Sequence, residues 1–166
     1  EFAIGSRHPL SYYYFWIFPR YTMHFYHTFI EFQKMDEKAR EQWRRAYRLI
    51  IKKAVKHQHA SRFLSKNPTN TGRIKELLQM FPNAKFIHIH RNPVTVFLST
   101  RHFYHKMMPA LQLHTVTEHQ LEEIIFSIYD LMIHKFMEER KLIPEGNLLE
   151  FPFEELEKDP MAMLGR

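Results

Sequence analysis

An arginine followed eight residues later by a serine, with a proline-started helix between them, can hold a phosphate dianion. In KFIHIHRNPVTVFLST, residues 85–100, the pair is Arg91 and Ser99. A guanidinium presents a planar fork of donors that matches phosphate and stays charged at any working pH. If the helix starts at Pro93, Thr95 and Ser99 share a face, and Ser99 lies roughly 9 Å along the axis from the helix start. One phosphate cannot then touch both the free first-turn amides and the Ser99 hydroxyl. It would lie along the helix flank, with Arg91 reaching from the corner and Ser99 donating from the side. The same residues admit a structural reading, with Arg91 paired to a surface carboxylate and Ser99 a small packing residue. Spacing alone does not separate the two.

The segment changes period where Arg91 stands. Lys85 to His90 alternates as a strand does, and from Pro93 to about Lys106 the pattern is helical. Arg91 is therefore expected at the carboxyl end of a strand, the place where open α/β sheets bind ligands. Other elements follow from the same signals. Ala39, Trp43, Ala46, Ile50 and Ala54 recur near every fourth position, predicting a helix from an Asp36 cap to about Lys56. RFLSK (62–66) reads as a short buried strand, and Asn67-Pro68 as the start of a helix that Pro82 stops. Thr117 with Gln120 forms a capping box before Leu121, Ile124, Ile125, Ile128 and Leu131. The turn PEGN then feeds LLEF, a third strand candidate, and a final helix. Strands separated by helices predict an α/β fold, a parallel sheet flanked by crossover helices in a single domain.

Composition narrows the chemistry. The 166-residue chain is 45% hydrophobic, enough for a core, and carries a formal net charge of +6 with a pI near 9.5, so an anionic partner is favoured. With no cysteine there is no disulfide, thiolate metal site or cysteine nucleophile. No apolar run approaches the roughly 18 to 20 residues of a membrane span, and the first residues do not read as a signal peptide. The expectation is a soluble, cytoplasmic protein. His88 and His90 share a strand face, and His102 and His105 have one-turn spacing, yet no carboxylate cluster accompanies either pair. No metal site is predicted. Residues 1–34 are dense in aromatics: a wall over the core, an acceptor pocket or partner surface lined by Tyr12, Tyr13, Phe15, Trp16 and Phe18, or both together. Asn70 could orient an acceptor hydroxyl but could not deprotonate it.

The stretch KFIHIHRNPVTVFLST resembles the 3′-phosphate-binding segment of sulfotransferases that use 3′-phosphoadenosine 5′-phosphosulfate (PAPS), where a strand ends in R-[ND]-P and a serine follows the arginine by eight residues. FLSKNPTNTGRIKELLQMFPNAKF and LLEFPFEELEKDP resemble the flanking family segments, so the likeness covers roughly residues 60–166. EFAIGS and the aromatics after it look like the middle of bacterial-type members. The resemblance implies a P-loop-NTPase-like sulfotransferase fold, PAPS as sulfuryl donor, and Arg91 and Ser99 on the nucleotide's 3′-phosphate. It implies that Lys66 lies near the donor sulfonate and the acceptor, where a cation could stabilise charge on the bridging oxygen. The acceptor would be a small hydroxyl or amine compound, aromatic or carbohydrate, with no nucleic acid or membrane span involved.

The chain departs from the family pattern. No Gly-rich loop with Lys-Ser/Thr matches the P-loop-like segment that cradles the 5′-phosphosulfate, and the basic loop near the family's C-terminus has no counterpart before Gly165-Arg166. The expectation is an interior fragment of a sulfotransferase domain, with little or no activity alone. Cytosolic members place a histidine base two residues after the lysine, where this chain has Pro68, so no base carries over. Two other functions stay open. One is a nucleotide kinase-like protein. The other is a basic nucleic-acid-binding module using Arg40, Arg44, Arg45, Arg48, Lys52, Lys53 and Lys56.

Overall fold

A computed structural model describes residues 1–6 and 9–165. In chain order the helices and strands are α1 (Phe2–Gly5), α2 (Thr22–Phe29), α3 (Glu37–His57), α4 (Ile74–Met80), β1 (Phe86–His90), α5 (Pro93–Leu111), α6 (Glu118–Glu139), β2 (Leu148–Pro152), α7 (Phe153–Lys158) and α8 (Pro160–Leu164). The long helices begin where their caps demand. The Asp36 carboxylate accepts from the Ala39 amide at 2.7 Å, and Asn92 Oδ1 accepts from Val94 and Thr95. Thr117 and Gln120 close a reciprocal capping box.

β1 and β2 pair in parallel, from Phe86 with Leu148 to His90 with Pro152, and α5 and α6 make the crossover between them. On one face His88 packs 3.9 Å from the Phe136 ring of α6 and meets Glu150 across the ladder. On the other face Ile87, Ile89 and Leu149 are exposed. The apolar mass lies elsewhere, in two aromatic clusters. Tyr12, Phe15, Trp16, Tyr26 and Phe29 pack with Met108 of α5 and Leu121 and Ile125 of α6. Ile4, Phe32, Trp43, Tyr47, Leu77 and Met80 form the second cluster, around α3 and α4.

The final helix expected after LLEF is divided at Asp159 into α7 and α8, and two elements around Lys66 also differ from the sequence reading. RFLSK, expected as a strand, forms neither strand nor helix and pairs with no described strand, and Ser61 to Lys66 are all exposed. β propensity gives no ladder without a neighbour to accept its hydrogen bonds. The helix expected from Pro68 is divided: a 3-10 turn spans Pro68–Gly72, and α4 starts only at Ile74. Gly72 lies so close to its surroundings that a Cβ there would sit 2.5 Å from Ile30 Cγ2 and 3.2 Å from Met132 Sδ. The break lets Arg73 turn inward.

Candidate functional site: an apolar cleft and a basic corner

A cleft of about 640 Å³ opens between α1, α3, α5 and residues 63–68. Its walls are mainly apolar, with Tyr13 and Trp16 from the aromatic segment, Ile50 and Ile51 from α3, and Phe103 and Met107 from α5. The aromatic segment thus does both things its sequence allowed. Tyr12 and Phe15 are core, Tyr13 and Trp16 also reach the cleft, and Phe18 lies against His114 instead. Lys66 lines the cleft and is exposed, with no partner among the described residues.

The backbone on both sides of Lys66 is held. Before it, Ser65 Oγ accepts from Asn70 Nδ2 at 3.1 Å and lies 3.4 Å from the Tyr47 hydroxyl. After it, Asn67 Nδ2 and the Thr69 hydroxyl donate to Glu1 Oε1 at 3.5 and 3.2 Å. That carboxylate also pairs with Arg73, and its other oxygen accepts from the Ser11 hydroxyl and the Tyr12 amide. Both Glu1 and Arg73 side chains are fully buried. Arg73 gives its Nε to the Phe29 carbonyl at 2.7 Å and stacks 5.1 Å over the Trp43 ring. Burial pushes the Glu1 carboxyl up, but the charge and hydrogen bond of Arg73, with the Ser11 hydroxyl, overcome it and hold the group down to about 2. Burial and the Glu1 charge raise the Tyr13 phenol. Neither group is therefore a good general base near neutral pH.

Arg91 follows β1 directly and is exposed, as is Ser99 on α5. Its guanidinium lies 4.6 Å from the Phe153 ring, and its Nε is 3.9 Å from Glu154 Oε1. Phe153 and Glu154 open α7 just after β2, so Arg91 spans the carboxyl ends of both strands. The Glu154 contact is long and exposed, of a kind worth only about 0–1 kcal/mol. A phosphate offering two charge-assisted hydrogen bonds would displace it. Ser99 has no hydrogen-bond partner among the described residues apart from its own helix. Lys66 ends an unpaired segment without regular secondary structure, not the strand expected for it.

The other sequence candidates have structural occupations. Burial lowers the His88 pKa against the opposing pull of Glu150, and its ring packs on α6, outside the cleft. His105 pairs with Glu118, and no three His, Asp or Glu among the described residues converge as metal ligands would. On α3 the arginines are engaged: Arg44 contacts Glu37, Glu41 and Glu76, Arg40 contacts Glu76, and Arg45 and Arg48 contact Glu41. The basic face that suggested nucleic-acid binding is thus largely neutralised in its first half. Glu1, Arg73 and Tyr47 were not singled out from sequence. Phe103 and Met107 escaped for the same reason, since none of them stands in a spacing that signals chemistry.

The sulfotransferase family profile matches residues 14–166, and the chain belongs to that family. It is 31% identical over 141 residues to the omega-hydroxy-beta-dihydromenaquinone-9 sulfotransferase Stf3 of Mycobacterium bovis and to that of Mycobacterium tuberculosis. The match covers 85% of this chain and 36% of each relative, so the chain spans about a third of the length of those curated proteins. No solved structure matches.

Proposed function

We propose that this chain is the interior part of a PAPS-dependent sulfotransferase domain with the P-loop-like fold of its family, acting in the cytoplasm on a lipophilic hydroxyl acceptor. The observation that carries the reading is the apolar cleft with an unpaired lysine, Lys66, on its wall. The mycobacterial relatives, named for a hydroxylated quinone, support an acceptor of that character.

The corner suits the nucleotide's 3′-phosphate in donor chemistry: Arg91 is charged and weakly engaged, and Ser99 is exposed with a free hydroxyl proton. PAPS supplies the sulfuryl group: the acceptor oxygen–sulfur bond forms as the bond from sulfur to the bridging phosphate oxygen breaks, PAP leaves, and the acceptor's hydroxyl proton is lost to solvent. Arg91 and Ser99 orient the nucleotide from its ribose end. Lys66 places a positive charge where the bridging oxygen gains negative charge, and its backbone is fixed by the contacts of Ser65 and Asn67. The cleft walls exclude water from the acceptor's apolar body. Glu1 organises this region but stays ionised and does not take the acceptor proton.

The test is transfer from PAPS to primary alcohols of increasing chain length, followed by release of 3′-phosphoadenosine 5′-phosphate (PAP). This chain alone is expected to give little or no turnover, because it has no counterpart of the 5′-phosphosulfate loop. In the longer protein, Lys66→Ala is expected to lower kcat about 100-fold with little change in acceptor KM. Robust turnover by the chain alone contradicts the fragment reading. An unchanged kcat in Lys66→Ala contradicts the role given to the lysine.

A further inference from the structure

The cleft beside Lys66 is mainly apolar, so its few polar side chains decide how a bound alcohol is turned. Most of them are already engaged. One Glu1 oxygen takes Arg73, Asn67 and Thr69, and the other takes the Ser11 hydroxyl and the Tyr12 amide. Asn67 spends its Nδ2 on that same carboxylate. Tyr13 stands in the aromatic segment, its ring against Phe2 and Trp16. Tyr47 lines the cleft from α3, and its hydroxyl lies by the residue that precedes Lys66.

Tyr47 is buried and fixed, yet its hydroxyl is poorly partnered. The residue is 7% exposed, and its ring packs 5.0 Å from that of Trp43. The hydroxyl has three polar neighbours, all distant: Ser65 Oγ and Asn70 Nδ2 at 3.4 Å and Asn70 Oδ1 at 3.5 Å. Hydroxyl hydrogen bonds are usually about 2.7–2.8 Å long, so each of these is weak. Asn70 Nδ2 has a shorter use, donating to Ser65 Oγ at 3.1 Å. That leaves Asn70 Oδ1 to accept the Tyr47 proton, and the phenolic oxygen keeps a lone pair for a donor that enters the cleft. A buried hydroxyl so weakly satisfied gains free energy when such a donor arrives.

We propose that Tyr47 is the residue that receives the acceptor's hydroxyl. Its phenolic oxygen accepts the acceptor O–H, which turns the acceptor oxygen so that its lone pairs stay free for sulfur. Tyr47 orients that proton and does not retain it. The contact also selects among ligands: one carrying an O–H engages it, and an ether of the same size and shape does not. The inference deepens the proposed function and rests on its hydroxyl acceptor, but binding to Tyr47 needs no nucleotide, so the two fail separately.

The experiment is calorimetric titration of the longer protein, without nucleotide, with octanol and with its isomer heptyl methyl ether, which has the same atoms but no O–H. The parent is expected to bind octanol about fivefold tighter than the ether, the worth of one ordinary hydrogen bond. Tyr47→Phe keeps the ring on Trp43, so it should bind both ligands alike, at the parent's affinity for the ether and with an unchanged Tm. With PAPS present, the same variant should lower kcat for octanol about tenfold, because an unoriented hydroxyl reaches sulfur less often. The inference is overturned if the parent binds octanol and the ether equally or binds no octanol at all, or if kcat is unchanged in Tyr47→Phe. A preference for octanol that survives Tyr47→Phe would also overturn it and would move the contact to Tyr13 or Lys66. A preference that depends on Tyr47 in a protein that transfers nothing from PAPS would contradict the proposed function and leave this contact standing.

Discussion

The two ends of the proposed site are built by opposite means. Around Lys66 the backbone is fixed by a buried ion pair, Glu1 with Arg73, whose hydrogen bonds reach Ser11, Asn67, Thr69 and the Phe29 carbonyl. Around Arg91 less is fixed: the arginine is exposed and rests 4.6 Å from the Phe153 ring, its Glu154 contact is 3.9 Å, and the two-stranded sheet beneath it leaves Ile87 and Ile89 open. A preformed cleft suits an apolar acceptor that offers few hydrogen bonds of its own. A loosely held corner suits an anion that brings strong hydrogen bonds with it.

This contrast is open to attack, beginning at the clamp. Arg73→Met leaves the Glu1 carboxylate buried without its partner, and the expected loss is about 3–5 kcal/mol in urea unfolding. Arg91→Ala should change stability by no more than about 1 kcal/mol, since its Glu154 and Phe153 contacts are exposed. Similar losses in the two variants would erase the distinction between the regions.

Acid should reach the clamp next. The Glu1 carboxyl is depressed in the folded chain, so its contribution is complete above its ordinary value of 4.5 and is lost as pH falls toward about 2. The expected loss across that window is about 3 kcal/mol. Unfolding measured at a series of pH values should show it, and Glu1→Gln should flatten the curve there. An identical acid slope in Glu1→Gln would remove the clamp from the account.

At the corner the effects are in binding. Losing charge-assisted hydrogen bonds in Arg91→Ala should weaken PAP by about 1.5–3 kcal/mol, roughly 10- to 100-fold. Ser99→Ala, which removes one neutral donor, should cost about 0.5–1.5 kcal/mol. A Ser99 effect equal to that of Arg91 would mean that the phosphate lies deeper along α5 than the corner geometry suggests.

Much of the frame was legible in local sequence. The caps at Asp36 and Thr117, the strand ending at His90 and the strand LLEF follow from neighbours a few residues apart, and all are present. The α5 helix runs five residues past its expected end near Lys106, to Leu111, because Pro109 falls in its last turn instead of ending it. RFLSK failed because a strand is a pairwise object, and apolar alternation does not supply the partner. The clamp was illegible for a similar reason. Glu1 and Arg73 are 72 residues apart, neither stands in a chemical motif, and only the break at Gly72–Arg73 turns the arginine inward. Arg91 and Ser99 could be named from one strand-to-helix corner because their spacing is local. Lys66 could be named as well, but the apolar cleft it serves is assembled from five separate stretches of chain.

The most direct measurement is a calorimetric titration of the chain with PAP and with adenosine 5′-monophosphate, which lacks the 3′-phosphate, repeated for Arg91→Ala. The account predicts that PAP binds at least tenfold tighter and that Arg91→Ala abolishes most of the difference. Equal affinity for the two nucleotides, or a preference for PAP that survives Arg91→Ala, would contradict it.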